Sequence, residues 1–298
     1  MKNNSLKSTL KGTLKGTMGM AAVVATMSIG AGAAFAETDL DKELIVNGET
    51  KIVTRAPAPS HMDGLDEVFS GWIFRKDETQ EAQMDDFDNP GMIFVDIAQD
   101  AWNAVDGTEG KSCASCHGTV EESMAGVKAT YPKWREEAGG VRSIDMEINN
   151  CRTERMGAEP WKLTKSKMTA MNALITVQSR GMPVNVAIDG KAAAMWERGK
   201  EMYYTKTGQL EMSCANCHED NYDNYIRADH LSQGQINGFP VYRLKNAKLN
   251  SVQARFKGCV RDTRAQTYKP GSEDFLALEL YVASRGNGLS VEGPSIRN

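Results

Sequence analysis

One five-residue pattern occurs twice in the chain and limits what the chain can fold into. Two cysteines separated by two residues and followed directly by histidine occur at 113–117 and 214–218. Covalent haem attachment requires this spacing, because both thiols form thioethers with the porphyrin and the histidine reaches the iron. A single copy could equally be a redox pair or half of a zinc site. Two copies predict two c-type haems, attached through Cys113, Cys116, Cys214 and Cys217 and bound at iron by His117 and His218.

The first 36 residues have the composition of a secretory signal. Four lysines precede a short apolar run, and Ala34-Phe35-Ala36 provides a cleavage site of small residues. A membrane span is not expected, because that takes about 20 apolar residues and this run is much shorter. Removing the signal moves the formal net charge from -4 to -8, since it takes away four lysines and no acids. We therefore predict an acidic periplasmic protein with no general affinity for nucleic acid.

The order of predicted elements repeats along the chain. Helical spacing of apolar residues predicts helices over 92–105, 166–179, 193–204 and 273–284. In each half, one helix precedes the CxxCH motif, and the other follows a long loop and an isolated cysteine. This order predicts a mainly α fold of two tandem cytochrome c-like domains related by internal duplication. The predicted segments are a signal at 1–36, an N-terminal arm at 37–88, a first domain at 89–182, a linker at 183–190 and a second domain at 191–298.

Each iron needs a second axial ligand or keeps an open position. Cys151 lies 34 residues after His117 and Cys259 lies 41 residues after His218, so the two spare cysteines occupy equivalent places. Two leftover cysteines in an oxidising compartment most often form a disulfide. Equivalent points of two similar domains each face their own haem, however, which places them beyond the reach of such a bond. We therefore predict iron ligation by both cysteines. The alternatives are the disulfide or, in the first half, Met156 or Met182, while His61 and His230 are expected to be surface or hydrogen-bonded histidines.

Basic residues are concentrated around Cys259. Eight of them lie within 243–269, against one acid, Asp262. Cations beside a thiol favour the nucleophilic thiolate and attract small anions. Around Cys151, two glutamates offset the nearby arginines. The first unit is therefore predicted to transfer electrons and the second to carry out chemistry.

The residues resemble the SoxA family of diheme cytochromes c from the sulfur-oxidising pathway. The most specific matches are at 214–218, at Arg255-Phe256-Lys257-Gly258-Cys259 and at Ser284-Arg285-Gly286, within a resemblance that covers nearly the whole mature chain. The resemblance implies an L-cysteine S-thiosulfotransferase subunit in which the residue corresponding to Cys259 is both haem ligand and active-site residue. That cysteine can carry an extra sulfur as a persulfide. The resemblance also implies a heterodimer with a small SoxX-like cytochrome and a SoxYZ-like sulfur-carrier protein.

The expected activity is the haem-dependent oxidative conjugation of thiosulfate to a cysteine of the carrier. Arg255 and Arg285, with Lys257 nearby, are expected to hold the sulfonate oxygens by charge-assisted hydrogen bonds. Cys259 is expected to accept the outer sulfur and pass it to the carrier. Three alternatives come from other classes: a thiosulfate dehydrogenase that releases tetrathionate, a simple electron-transfer cytochrome, and a diheme peroxidase, which would keep one iron open.

Overall fold

The computed structural model describes residues 38–298, and the predicted signal at 1–36 lies outside them. Helices account for most of the regular structure in this part of the chain, which confirms the prediction of a mainly α fold. None of the helices within 38–298 is long and apolar enough to cross a membrane. The helices are α1 (Asp77–Met84), α2 (Met92–Asn103), α3 (Cys113–His117), α4 (Val120–Ser123), α5 (Ile144–Met156), α6 (Ser166–Val177), α7 (Ala193–Tyr204), α8 (Cys214–His218), α9 (Val252–Asp262) and α10 (Glu273–Ser284).

The strands are two or three residues long and form small separate sheets. They are β1 (Leu44–Val46), β2 (Thr50–Ile52), β3 (Arg55–Pro57), β4 (Glu67–Phe69), β5 (Lys133–Arg135), β6 (Gly140–Arg142), β7 (Tyr225–Ile226), β8 (Asp229–His230), β9 (Val241–Arg243), β10 (Lys248–Asn250) and β11 (Ser295–Arg297). β1 to β8 pair in sequence as four antiparallel ladders. β9 pairs with β10 in antiparallel and with β11 in parallel, with Ile296 opposite Tyr242.

The internal duplication is visible in the order of the helices. α2, α3, α5 and α6 of the first half correspond to α7, α8, α9 and α10 of the second. Within each half the first and last of these helices pack together, α2 on α6 and α7 on α10. Gly199 permits the close approach of the second pair, because a Cβ there would overlap the carbonyl oxygen of Ala277. The structure thus confirms two tandem cytochrome c-like units.

The predicted helix boundaries are close to those observed, with one omission. α7 and α10 have the predicted limits, and α2 and α6 each end two residues before them. The stretch between α8 and Cys259 was expected to be irregular, but α9 begins at Val252 and carries the cysteine. The side chain of Ser251 starts this helix by accepting a hydrogen bond from the Ala254 N–H, at 3.4 Å.

The segment expected to be an extended or partly helical N-terminal arm contains four short strands and a helix. Its buried residues, which include Leu44, Ile52 and Trp72, form a small core of their own. The segment also contacts the second half, because the Phe69 N–H donates to Oε1 of Gln233 at 2.8 Å. The arm therefore lies against the body of the protein.

The segment predicted to be an interdomain linker, 183–190, is hydrogen-bonded to both halves. The Val184 N–H donates to the carbonyl of Leu289 at 2.8 Å, and the Asn185 N–H donates to the carbonyl of Ala129 at 2.8 Å. Val186 in the same segment is buried. These contacts make the connection a packed part of the body.

Candidate functional site

Each CxxCH motif forms a short helix with the same kind of N-terminal cap. The Ser112 hydroxyl accepts from the Ser115 N–H at 3.1 Å in front of α3, and the Ser213 hydroxyl accepts from the Asn216 N–H at 3.3 Å in front of α8. In both helices the side chain of the third residue accepts a hydrogen bond in return from the backbone N–H of the cap residue. Because residues three apart share a helix face, the cap presents both cysteines of a motif on one side. This arrangement suits two thioether bonds to one porphyrin.

His218 is half-buried and held by a backbone hydrogen bond. Its Nδ1 lies 2.7 Å from the carbonyl oxygen of Ser232, which fixes Nδ1 as the protonated nitrogen and leaves Nε2 as the ligand atom. Burial lowers the pKa of His218 to about 4, so the imidazole is neutral as a metal ligand must be. Gly234 packs directly on the ring, since a Cβ at that position would lie 2.8 Å from Cγ of His218. The sequence contained no signal for this contact.

His117 in the first half is in a more open environment. Its side chain is exposed, and its ring centroid lies 5.7 Å from that of Trp102 on α2. The indole Nε1 of Trp102 donates to the carbonyl of Gly118 at 3.0 Å, which ties α2 to the end of α3. The two proximal histidines therefore differ in access to solvent.

The two spare cysteines lie on corresponding helices, each close to its own CxxCH motif. Burial raises the pKa of Cys214 to about 12, and the second-largest cause of the increase is charge interaction with the nearby Cys259 on α9. Burial likewise raises the pKa of Cys113, and the second-largest cause is charge interaction with the nearby Cys151 on α5. No disulfide joins any of the six cysteines, all of which lie within the described residues. The structure therefore places each spare cysteine with its own motif and does not join the two in a disulfide.

The residue one turn before the spare cysteine distinguishes the two halves. Arg255 precedes Cys259 by four residues on α9, and Glu147 precedes Cys151 by four on α5, so each pair shares a helix face. In the first half burial raises the pKa of Cys151, and Glu147 raises it further. In the second half Arg255 acts in the opposite direction on Cys217 of the facing motif. Only the second site combines a spare cysteine with a cation at this position.

Helix geometry contradicts the expected position of Lys257 beside Cys259. Two residues along an α-helix amount to a rotation of about 200°. Lys257 therefore points away from the face that carries Arg255 and Cys259, and its side chain is exposed to solvent. The expectation failed because it was made without α9.

Arg285, which was expected to hold the sulfonate oxygens together with Arg255, is completely buried. Its side chain has 0% exposure and forms an ion pair with Glu219, the residue after His218. The guanidinium carbon lies 4.3 Å from the ring centroid of Tyr203. The Nε and Nη2 atoms of Arg285 and the hydroxyl of Tyr203 have no hydrogen-bond partner among the described residues.

These unpaired donors fit a bound group that carries acceptor oxygens, as a haem does through its propionates, because buried polar atoms are almost always hydrogen-bonded. Arg285 also lowers the pKa of Cys214, after the larger opposing effect of burial, which places the guanidinium near the attachment motif. Within 38–298, no group of three or more His, Cys, Asp or Glu side chains is placed to hold a metal ion. Fold and site together define a c-type cytochrome.

Comparison with known proteins narrows this class. A family model described as SoxA/TsdA, cytochrome c domain, matches residues 97–184 and 198–291. The chain is 62% identical over 259 residues to the L-cysteine S-thiosulfotransferase subunit SoxA of Rhodovulum sulfidophilum, covering 87% of this chain and 90% of that protein. The corresponding subunit of Paracoccus pantotrophus is 58% identical, with 90% and 93% covered. The crystal structure of SoxXA from P. pantotrophus superposes with a TM-score of 0.84 at 57% identity, covering 87% of this chain and 99% of that chain. The chain belongs to the SoxA family of c-type cytochromes, which carry covalently bound haem.

Proposed function

We propose that this protein catalyses the oxidative conjugation of thiosulfate to a cysteine of a sulfur-carrier protein. The observation that carries the proposal is the pair Arg255 and Cys259, one turn apart on α9 and facing the second CxxCH motif. The equivalent pair in the first half has Glu147 in place of the arginine, and Glu147 pairs with Arg135, so that position offers no free cation to an anion. The relatives described above are named L-cysteine S-thiosulfotransferase subunits, which supports the same assignment.

The proposal includes two c-type haems, one in each of the domains 89–182 and 191–298 that the linker 183–190 connects. In each half, the two cysteines of the CxxCH motif form the thioether bonds to the porphyrin. The histidine of the motif and the spare cysteine are the axial ligands of the iron. Two observations support this assignment. Each spare cysteine is close to its own motif, and Nδ1 of His218 is hydrogen-bonded to a backbone carbonyl, which leaves Nε2 for the iron. When bound, the haems supply one-electron acceptor chemistry.

Thiosulfate is a dianion, and the second site has cationic donors for its sulfonate oxygens. Arg255 lies on the cysteine-bearing face of α9, half-buried, so it can form charge-assisted hydrogen bonds at the protein surface. Arg285 is completely buried and paired with Glu219, and its two unpaired N–H groups are those assigned above to haem propionates, so it does not contact the anion directly. Arg255 therefore orients the anion with its outer sulfur toward Sγ of Cys259.

Sulfur transfer then takes place in two steps at Cys259. In the first, an S–S bond forms between the Cys259 thiolate and the outer sulfur of thiosulfate, and the two electrons released would be accepted one at a time by the bound haems. In the second, the thiolate of the carrier attacks the outer sulfur of this adduct and displaces the Cys259 thiolate, with no net change of redox state. The carrier leaves with the S–SO₃ group, and Cys259 is regenerated.

The proposed partner for electron removal is a small SoxX-like cytochrome in a heterodimer with this chain. The solved structure with 57% identity is titled as a SoxXA complex, which supports such an assembly. We place this heterodimer in the bacterial periplasm, since residues 1–36 of this chain have the composition of an export signal.

The test compares Cys259→Ser with Cys151→Ser, which changes the equivalent residue in the other half. Mass spectrometry of the carrier after a single turnover measures the thiosulfate adduct, and the haem-to-protein ratio is measured in parallel. Cys259→Ser is expected to abolish the adduct with both haems still attached, whereas Cys151→Ser keeps adduct formation. Full conjugation by Cys259→Ser would refute the proposal.

A thiosulfate dehydrogenase is the second candidate, because the matching family model covers both SoxA and TsdA. Such an enzyme joins two thiosulfate ions and releases tetrathionate without a carrier. Assaying tetrathionate in the absence of carrier separates the two activities. We expect none above the uncatalysed rate, and rapid tetrathionate release would favour the second candidate.

A further inference from the structure

The first half carries an acidic surface that the proposed chemistry does not use. Between Lys76 and Lys111 the chain has ten acidic residues and no lysine, arginine or histidine. α2 crosses the middle of this stretch. Its inner face, with Val95, Ala98 and Trp102, is buried in the first-half core.

The outer face of α2 combines exposed apolar and acidic side chains. Ile93 is 62% exposed and Ile97 is 57% exposed. Asp96 and Asp100 are exposed on the same side of the helix, since positions 93, 96, 97 and 100 are three or four residues apart. Phe87, just before the helix, is 94% exposed. We call Phe87, Ile93, Asp96, Ile97 and Asp100 the α2 outer face.

The acids of this face are available to a partner. Elsewhere in the acidic stretch, Asp77, Asp86 and Asp106 form ion pairs with Lys42, Arg180 and Arg152. Neither Asp96 nor Asp100 forms an ion pair within residues 38–298. Exposed apolar side chains surrounded by charge are typical of a protein interaction site.

The equivalent helix of the second half, α7, lacks the exposed isoleucines of the α2 outer face, so the internal duplication does not explain them. α2 and α7 are both twelve residues long and both end ten residues before the first cysteine of a CxxCH motif. In this register Asp96 and Asp100 correspond to Glu197 and Glu201, but Ile97 corresponds to Arg198. Arg198 forms ion pairs with Glu273 and Asp274 of α10. The combination of acids with exposed isoleucines is therefore particular to α2.

The α2 outer face is also close to the first attachment site. α2 packs on α3, and Trp102 links them through its hydrogen bond to Gly118 and its contact with His117. Cys116 and His117 are exposed there, whereas His218 is half-buried. A protein bound to the outer face would lie one helix thickness, about 10 Å, from this site.

We propose that the α2 outer face docks a cationic redox protein, a small c-type cytochrome with lysines around an exposed haem edge. Charge complementarity selects this occupant, since a second copy of this acidic chain would be repelled. The lysines pair with Asp96 and Asp100, and the apolar rim of the haem edge covers Ile93 and Ile97. The docked protein would act as the final oxidant, its iron(III) accepting one at a time the electrons that the haems of the assembly take from the sulfur chemistry. This electron exit rests on the proposed function, whereas the docking does not.

The test measures binding of oxidised mitochondrial cytochrome c, a small basic protein, to the full chain assembled with its small cytochrome subunit. Calorimetry at low ionic strength is performed without thiosulfate or carrier, so failure here is separate from failure of the conjugation assay. Asp96→Lys/Asp100→Lys is expected to weaken binding at least about tenfold. The matched control, Glu197→Lys/Glu201→Lys, makes the same charge change on the equivalent helix and leaves binding within about twofold.

The apolar part of the face is tested by Ile97→Ser, which is expected to weaken binding several-fold without changing its salt dependence. Acetylation of the lysines of the cytochrome should abolish binding to the unmodified chain. Equal weakening by the two double-lysine variants would show that net charge alone attracts the probe and would overturn the proposal. Binding unaffected by Asp96→Lys/Asp100→Lys would also overturn it, including the case in which the small subunit already covers α2.

Discussion

Arg285 and Glu219 form a buried ion pair, in which the side chain of Arg285 is 0% exposed and that of Glu219 is 7% exposed. The same Oε1 of Glu219 accepts a hydrogen bond from the Tyr204 hydroxyl at 2.9 Å. The guanidinium also lies over the ring of Tyr203. Glu219 therefore balances a buried charge and fixes one end of Arg285, which leaves Nε and Nη2 for other ligands.

Glu219→Gln is expected to lower the free energy of unfolding by about 3–5 kcal/mol, because it leaves the guanidinium buried without a counter-charge. Chemical denaturation of the haem-loaded protein measures the loss. Asp274→Asn is the control, since it removes a partner of the partly exposed Arg198 and should cost less than about 1 kcal/mol. Equal costs in the two variants would mean that the Glu219 pair contributes no more than a surface pair.

Arg255→Ala is expected to raise the KM for thiosulfate about tenfold or more, because it removes a charge-assisted hydrogen bond worth roughly 1.5–3 kcal/mol. The kcat at saturating thiosulfate should change less. Lys257→Ala is the control on the same helix, since that side chain points away from Cys259. Steady-state conjugation assays of both variants decide the point, and a KM increase confined to Lys257→Ala would reverse the assignment.

Gly234→Ala is expected to disturb the second haem site and leave the first unchanged. The new Cβ would lie 2.8 Å from Cγ and 2.9 Å from Nδ1 of His218, and the ring cannot retreat without losing its hydrogen bond to Ser232. Low-temperature EPR should show one of two low-spin haem signals altered or lost. Gly110→Ala is the control, because its φ is also positive, +64° against +77°, but its Cβ would meet no atom within 4 Å. Gly110 lies in the first half, so if Gly110→Ala alters the first haem signal as strongly as Gly234→Ala alters the second, backbone strain rather than ring displacement is responsible.

Glu279→Gln is expected to raise the free energy of unfolding relative to the parent by an amount that grows as the pH rises. Burial raises the pKa of Glu279 to about 7, although Gln253 Nε2 donates to its carboxylate at 2.7 Å. A raised carboxyl pKa gives stability that is complete below about pH 4.5 and is lost as the pH rises through about 7. The variant should therefore gain up to about 3 kcal/mol relative to the parent between pH 4.5 and pH 8.

Denaturation at several pH values tests the Glu279 prediction. The neighbouring charges are Asp145, which raises the same pKa, and Lys128, which lowers it. Glu273→Gln, at the exposed start of the same helix, serves as the control and should show no such trend. A constant difference between Glu279→Gln and the parent across this range would contradict a buried, protonated carboxyl.

The parts of the fold that local sequence pattern determines were predictable. α7 and α10 follow from long apolar periodicity. α9 was missed because Arg255, Lys257 and Arg261 obscure its short apolar pattern. The three-residue strands were missed because so few residues show no alternation.

The predicted site was incomplete for a different reason. Placing Cys259 near its motif needed only the repeat register. The burial of Arg285 by Glu219, and the contact of Gly234 with His218, arise from residues brought together by tertiary packing. The position of Lys257 was predicted wrongly because proximity along the chain was used in place of helix geometry.

The strands between α8 and α9 carry a consequence for how such genes can recombine. Leu249 of β10 is buried in the core of the first half, and Tyr242 of β9 packs against the same cluster. A crossover between two related genes at the codons for 183–190 would separate these side chains from the surface that matches them. A viable chimera would have to transfer β9 and β10 together with the first half, so the unit that can be exchanged is larger than the unit that was duplicated.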